Sequence, residues 1–289
     1  MIKLSTFENN QLETIRVISA SQFENLKNDC EIINDSHKQL VVFKYLQLNI
    51  KEYSKFIKKI SELYVAQLDI RVLTSESLLL ETNRLVLNYT SSFKFFLDNG
   101  KTFLIRKYGK DSQITSDFLT LCSKHYDENF AYRFLTNLRD YSMHIGFPLT
   151  GLGFKAKKNE KNPEKMVGEI QLMVDINTIK TEKKTFRGVY KELINFTEDI
   201  DLKPLFYQLF QSILDIQEYI YLVQKEEIEQ AINNIQLFVG DFKTKENDIK
   251  VFHSIERENN EIELGIYSVP FDKIKDFEMY RIGTDKNRC

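Results

Sequence analysis

The segment Asn137-Leu138-Arg139-Asp140-Tyr141-Ser142-Met143-His144 brings an arginine, an acidic residue and a histidine together just before Gly146 and Pro148. A histidine can take the proton of a ribose 2′-hydroxyl or protonate a leaving oxygen, and a guanidinium can stabilise charge on a phosphate in transfer. Such residues suit RNA cleavage without a metal ion. Asp140 stands one helical turn before His144, so its carboxylate is placed to accept a hydrogen bond from the imidazole and fix its tautomer. Arg139 and His144 are five residues apart, about 140° on a helical wheel. The long arginine side chain or a two-fold partner has to close that gap. Spacing alone favours a plainer reading, with Arg139 a solvated helix residue and His144 a C-terminal cap.

These residues need a helix to hold them, and the pattern predicts one from Glu128 to Ile145, stopped by Gly146 and Pro148. Its wheel puts Phe130, Phe134, Leu138, Tyr141 and Ile145 on one apolar face and Arg133, Asn137, Asp140 and His144 on a neighbouring polar stripe, which suits the lining of a groove. Further helices are predicted over Glu52 to Val65, Leu78 to Leu97 with Thr74 and Ser75 as caps, Lys101 to Tyr108, either separate or continuing the preceding one after a kink, Ser116 to Ser123, Thr185 to Phe196 and Pro204 to Val239. Short strands are expected at Ile15 to Ile18 and Gln39 to Tyr45. Alternation at Ile170, Leu172, Val174 and Ile176 predicts a hairpin insert at about 151–180, facing a lysine-rich loop. A C-terminal hairpin between Ile249 and Phe271 would turn at Glu258-Asn259-Asn260-Glu261, and the end from Thr284 to Cys289 would fray. The organisation expected is an α/β appendage over 1–70, a helical body over 71–240 carrying the insert, and a β-hairpin and tail over 241–289.

Hydrophobic residues make up 42% of the 289 and charged residues 28%, with only 10 Gly and 4 Pro, which fits a globular, helix-rich chain. The formal net charge of -2 gives no overall positive field, so any nucleic-acid contact must be local. Cys30, Cys122 and Cys289 have no C-x-x-C spacing, and His37, His125 and His253 are scattered. Neither a metal nor a cofactor is expected. With no signal-like run and no stretch near the roughly 20 apolar residues of a membrane span, the expectation is a cytoplasmic protein with no membrane partner.

The run from Phe134 to Leu149 resembles the signature of the HEPN superfamily (higher eukaryotes and prokaryotes nucleotide-binding): Arg, a polar residue, three residues, then His. Thr82-Asn83-Arg84-Leu85-Val86-Leu87-Asn88-Tyr89 resembles the first long core helix of bacterial members, and Ile200 to Leu205 the start of a late helix. The resemblance covers about Ser75 to Asn234. It implies an up-and-down helical bundle forming a homodimer with two motifs across a groove; with the strands read from the pattern, the fold expected is mainly α, a HEPN-like bundle with small β-containing N-terminal, insert and C-terminal elements. It also implies metal-independent endoribonuclease activity, with Arg139 and His144 as the catalytic pair and Asp140 at the polar position. Many prokaryotic members act in toxin–antitoxin or phage-defence systems, so an antitoxin or regulatory protein is an implied partner beside RNA. Others are inactive modules that bind RNA or a protein. Members controlled by a nucleotidyltransferase antitoxin carry a tyrosine two residues after the histidine, where this chain has Gly146.

Arg133 and Asn137 on the motif helix, Asn83 and Arg84 on the first core helix, and Lys155, Lys157 and Lys158 in the insert complete the candidate RNA-binding or supporting set. A solvated loop is the favoured reading of the lysines, and surface or core-edge roles explain Asn83 and Arg84 equally well. A purely structural helical scaffold remains a third reading beside the nuclease and the silent module.

Overall fold

The computed structural model describes residues 1–9, 11–65, 75–244, 247–256 and 262–286. In chain order the elements are β1 (Ile2–Glu8), β2 (Gln11–Ile18), α1 (Ala20–Val65), α2 (Ser75–Tyr108), α3 (Gln113–Glu128), α4 (Phe130–His144), β3 (Leu149–Lys158), β4 (Met166–Val174), α5 (Ile176–Thr181), α6 (Tyr190–Leu193), β5 (Ile200–Asp201), α7 (Leu202–Leu222), α8 (Lys225–Val239), β6 (Asp248–Glu256), β7 (Ile262–Ser268) and α9 (Phe271–Lys286). The fold is mainly α with two small antiparallel sheets. None of the helices is long and apolar enough, among the described residues, to cross a membrane.

The chain divides into two compact units, Met1–Leu40 with Tyr221–Cys289, and Val41–Ile220. In the first, the N-terminal strands and the C-terminal hairpin, expected as separate appendages, share one sheet in the order β2-β1-β6-β7. Leu4 on β1 pairs with Val251 on β6, and both are fully buried. Leu26, Cys30 and Ile33 recur at helical spacing on α1 and supply further buried residues. His37 Nε2 and Asp276 Oδ2, 2.8 Å apart, tie α1 to α9. The expected turn at Glu258 to Glu261, the cap at Thr74 and the last three residues, 287–289, lie outside the described residues; Thr284 to Lys286 belong to α9 rather than to a frayed end.

The second unit holds the remainder of α1, helices α2 to α7 and the sheet β3-β4-β5. Gln39 to Tyr45, expected as a strand, is part of the 46-residue α1. Val41, Val42 and Phe43 favour a strand locally, but Leu40, Phe43 and Leu46 recur every three residues and are buried together, which overrides local preference. Helix α2 continues through Gly100 without a break, so Lys101 to Tyr108 continues the segment before it. It ends at Gly109, whose φ of 94° is the left-handed conformation that suits glycine after a helix. Ile176 leaves the expected strand because Asp175 caps α5, its carboxylate accepting from the Asn177 and Thr178 N–H groups. Of the helix expected over Thr185 to Phe196, only Tyr190–Leu193 forms. The long helix expected from Pro204 to Val239 is two, α7 and α8, separated at Val223 and Gln224 with neither glycine nor proline to mark the break.

Candidate active site

One residue, Asn129, separates α3 from α4 and sets the direction of the motif helix. Its N–H closes α3 on the His125 carbonyl, its side-chain oxygen caps α4 by accepting from the Ala131 and Tyr132 N–H groups, and its Nδ2 donates to Ser212 Oγ on α7 at 3.1 Å. Ala131, Phe134, Leu135 and Leu138 then bury one side of α4. The packed side includes Phe134 against Phe186, with ring centroids 5.7 Å apart.

The polar stripe read from the wheel does not stay together. Arg133, only 12% exposed, donates to the Tyr126 carbonyl at 2.6 Å, to the Asp127 carbonyl, and through Nη2 to both oxygens of Glu192. It clamps the α3 end to α6, with its guanidinium engaged by these internal partners. Asn137 is buried, its Nδ2 without a partner, beside Gly188 and Tyr126. Only Asp140 and His144 stand at the open end of the helix.

There, Arg139 Nη1 donates to Asp140 Oδ1 at 2.9 Å. Asp140 therefore orients the arginine, not the imidazole as its one-turn spacing from His144 suggested. Arg139 is partly buried, and its Nε is enclosed without an acceptor. His144 is exposed and has no hydrogen-bond or ion-pair partner among the described residues. Regular α-helix extends through His144, so the wheel separation of about 140° from Arg139 persists.

The chain after the histidine was not anticipated as a feature. Met143, Ile145 and Phe147 are 49%, 48% and 50% exposed, so His144 sits among solvent-facing apolar side chains. Ile145, assigned to the buried face, has left it because the helix ends there: the Ile145 and Gly146 N–H groups both donate to the Tyr141 carbonyl. The sequence carried a signal in Met143, an apolar residue off the packed side of the wheel, and in Phe147 beyond the helix end. Leu149, where the chain re-enters the fold, is pinned by Asn83, whose Oδ1 accepts from the Leu149 N–H at 3.0 Å while its Nδ2 donates to the Leu149 carbonyl at 3.3 Å. Asn83 is a positioning residue for the segment leaving the motif.

Arg84 lies elsewhere, in exposed ion pairs with Glu81 and Glu52 that hold the Glu81 carboxyl below its ordinary range. Lys155, Lys157 and Lys158 belong to strand β3 and not to a loop; all three are exposed, with Lys155 and Lys157 on one face and Lys158 on the other. Lys157 is 3.9 Å from Glu169, which offsets part of its charge. Among the described residues no group of three His, Cys, Asp or Glu is arranged to hold a metal ion. Comparison with protein-family models, curated proteins and solved structures finds no match to this chain.

Proposed function

We propose that the chain is a HEPN-type, metal-independent endoribonuclease that works as a homodimer, with Arg139 and His144 as its catalytic pair. The observation that carries this reading is His144 at the end of α4, solvent-facing and without a partner among the described residues, on the same helix as an arginine that Asp140 orients. A histidine free of internal bonds is available for proton transfer to or from RNA. In the reaction the ribose 2′-oxygen attacks phosphorus as its proton leaves, the bond from phosphorus to the 5′-oxygen breaks, and that oxygen is protonated. The products carry a 2′,3′-cyclic phosphate and a 5′-hydroxyl. His144 serves one of the two proton transfers, and Arg139 meets the charge on the non-bridging oxygens.

Two features support assembly from two copies. The helix keeps Arg139 and His144 on different sides of one chain, and Met143, Ile145 and Phe147 surround the histidine with the apolar surface an isologous contact would cover. A role in phage defence or beside an antitoxin belongs to the same proposal and rests on the resemblance of the motif. The alternative is a silent HEPN module that binds RNA or a protein. The engagement of Arg139 by Asp140, which offsets the guanidinium charge, favours it.

The test is incubation of purified protein with RNA in excess EDTA, followed by analysis of the ends. Cyclic phosphate ends, and resistance of substrate lacking the 2′-hydroxyl, are expected. Cleavage that stops on chelation and returns with magnesium defeats the mechanism; RNA binding without cleavage selects the silent module.

A further inference from the structure

Strand β5 is two residues long and pairs only with Met173 and Val174 of β4. Upstream of these, β4 has β3 on one side and no strand on the other among the described residues. The Leu172 N–H donates across that open edge to Asp201 Oδ1 at 3.0 Å. In an antiparallel ladder the direction of the main-chain groups alternates residue by residue, so those of Gly168 and Met166 also point outward. Among the described residues no hydrogen bond occupies these outward groups.

The open edge is one wall of a cavity of about 1270 Å³. Met166, Val167, Gly168 and Glu169 line it in unbroken succession. Because successive side chains of a strand point to opposite faces, such a run means that the edge itself borders the space. The facing walls come from α1 and α7, and Tyr53, Tyr89 and Phe206 form an aromatic cluster on the lining, with Tyr89 and Phe206 stacked at 4.6 Å. Four of the lining charges pair with one another, Lys58 with Glu62 at 3.8 Å and Lys203 with Glu169 at 3.4 Å, and the fifth, Asp201, accepts from the Leu172 and Lys203 N–H groups, so the net field is small and negative.

We infer that this edge and cavity take up an extended, uncharged peptide segment of a partner protein by strand addition. Its main chain completes the free side of β4, and alternate apolar side chains reach the aromatic lining. A flat apolar molecule would match the lining but leave the main-chain groups of Met166 and Gly168 unanswered. A charged segment would meet rim charges already paired. The inference does not rest on the nuclease reading.

The test uses the full chain and a panel of acetylated, amidated peptides in which Val, Ile or Phe alternates with Thr. Saturable binding is expected, with slowed hydrogen exchange at the Met166 and Gly168 amides. N-methylating the peptide amides that face β4 should weaken binding on the order of tenfold. Met166→Pro, which removes one outward donor at the first residue of the strand, should weaken it similarly. Ser54→Trp, at an exposed cavity-lining position of α1, should block it. Absence of binding across the panel overturns the inference. Equal affinity for N-methylated peptides overturns it in favour of a simple apolar sink. Amide protection that grows with protein concentration alone overturns it in favour of a second copy of this chain.

Discussion

Asp140 accepts its hydrogen bond from Arg139, its neighbour in sequence, and not from His144 one turn along the helix. The guanidinium is long enough to fold back over a carboxylate on the adjacent position, and the ion pair it forms is partly screened at this half-open helix end. The polar residue of the motif thus sets where the arginine points, while the histidine keeps no internal bond. On the nuclease reading, arginine and histidine are tuned separately, and each can be tested separately.

Asp140→Ala should release Arg139 and lower the cleavage rate by about tenfold, chiefly in kcat, because the guanidinium loses the bond that aims it. Asp140→Asn still offers a carbonyl oxygen to Nη1 and should fall between Ala and wild type. Single-turnover rates on one RNA, with substrate affinity measured separately, check this. A loss confined to affinity would make Asp140 an RNA contact instead.

His144→Ala should abolish cleavage while leaving the thermal midpoint near that of wild type, since the imidazole is exposed and makes no internal bond. Arg139→Ala should cost on the order of 10²-fold or more in kcat. Cleavage by His144→Ala at the wild-type rate would return the histidine to the role of a surface residue. Mixing the two inactive variants provides the assembly test: a groove built from both chains regains activity in the mixed dimer if one intact arginine and one intact histidine suffice.

Two glycines separate rigid from yielding contacts. A Cβ on Gly168 would lie 2.1 Å from the Ser61 carbonyl oxygen of α1, whereas one on Gly188 would lie 2.3 Å from the Tyr126 hydroxyl, the far end of a side chain. Gly168→Ala therefore has to push helix backbone from strand and should cost about 1–3 kcal/mol. Gly188→Ala should cost less, because a phenol can swing. Urea unfolding of the two variants decides the order; equal losses would mean that Tyr126 is held as firmly as helix α1.

The motif helix, its end near Gly146 and strand β4 were legible because each is written in consecutive residues: apolar spacing of three and four, a Gly and Pro stop, strict alternation; β3, whose lysines read as a loop, was not. The strand expected at Gln39 to Tyr45 failed because β-branched residues there serve a helix whose buried positions recur over far more residues than a local window spans. The union of β1 with β6 was not legible, since their pairing spans most of the chain and nothing in either strand names the other. At the site, residue types were readable but partners were not. Arg133 looked like a free cation because Glu192 lies 59 residues away and arrives only through the fold.

Asn83 gives the sharpest test of how the segment after the motif is held. Its amide bonds both main-chain groups of Leu149 and also donates to the Leu79 carbonyl at 3.2 Å, all from a side chain that is almost fully buried. Asn83→Leu keeps similar bulk but leaves a buried N–H and C=O of Leu149 unanswered, so it should destabilise the protein by about 2–4 kcal/mol, taking about 1–3 kcal/mol for each unsatisfied group with partial relaxation. Asn83→Asp still accepts from the Leu149 N–H but sets a carboxylate oxygen against the Leu149 and Leu79 carbonyls. It should be least stable when ionised and recover as falling pH protonates it. Urea unfolding at two pH values reads both effects. If Asn83→Leu is as stable as wild type, the Leu149 groups find other partners, and the segment between His144 and β3 is not fixed through α2.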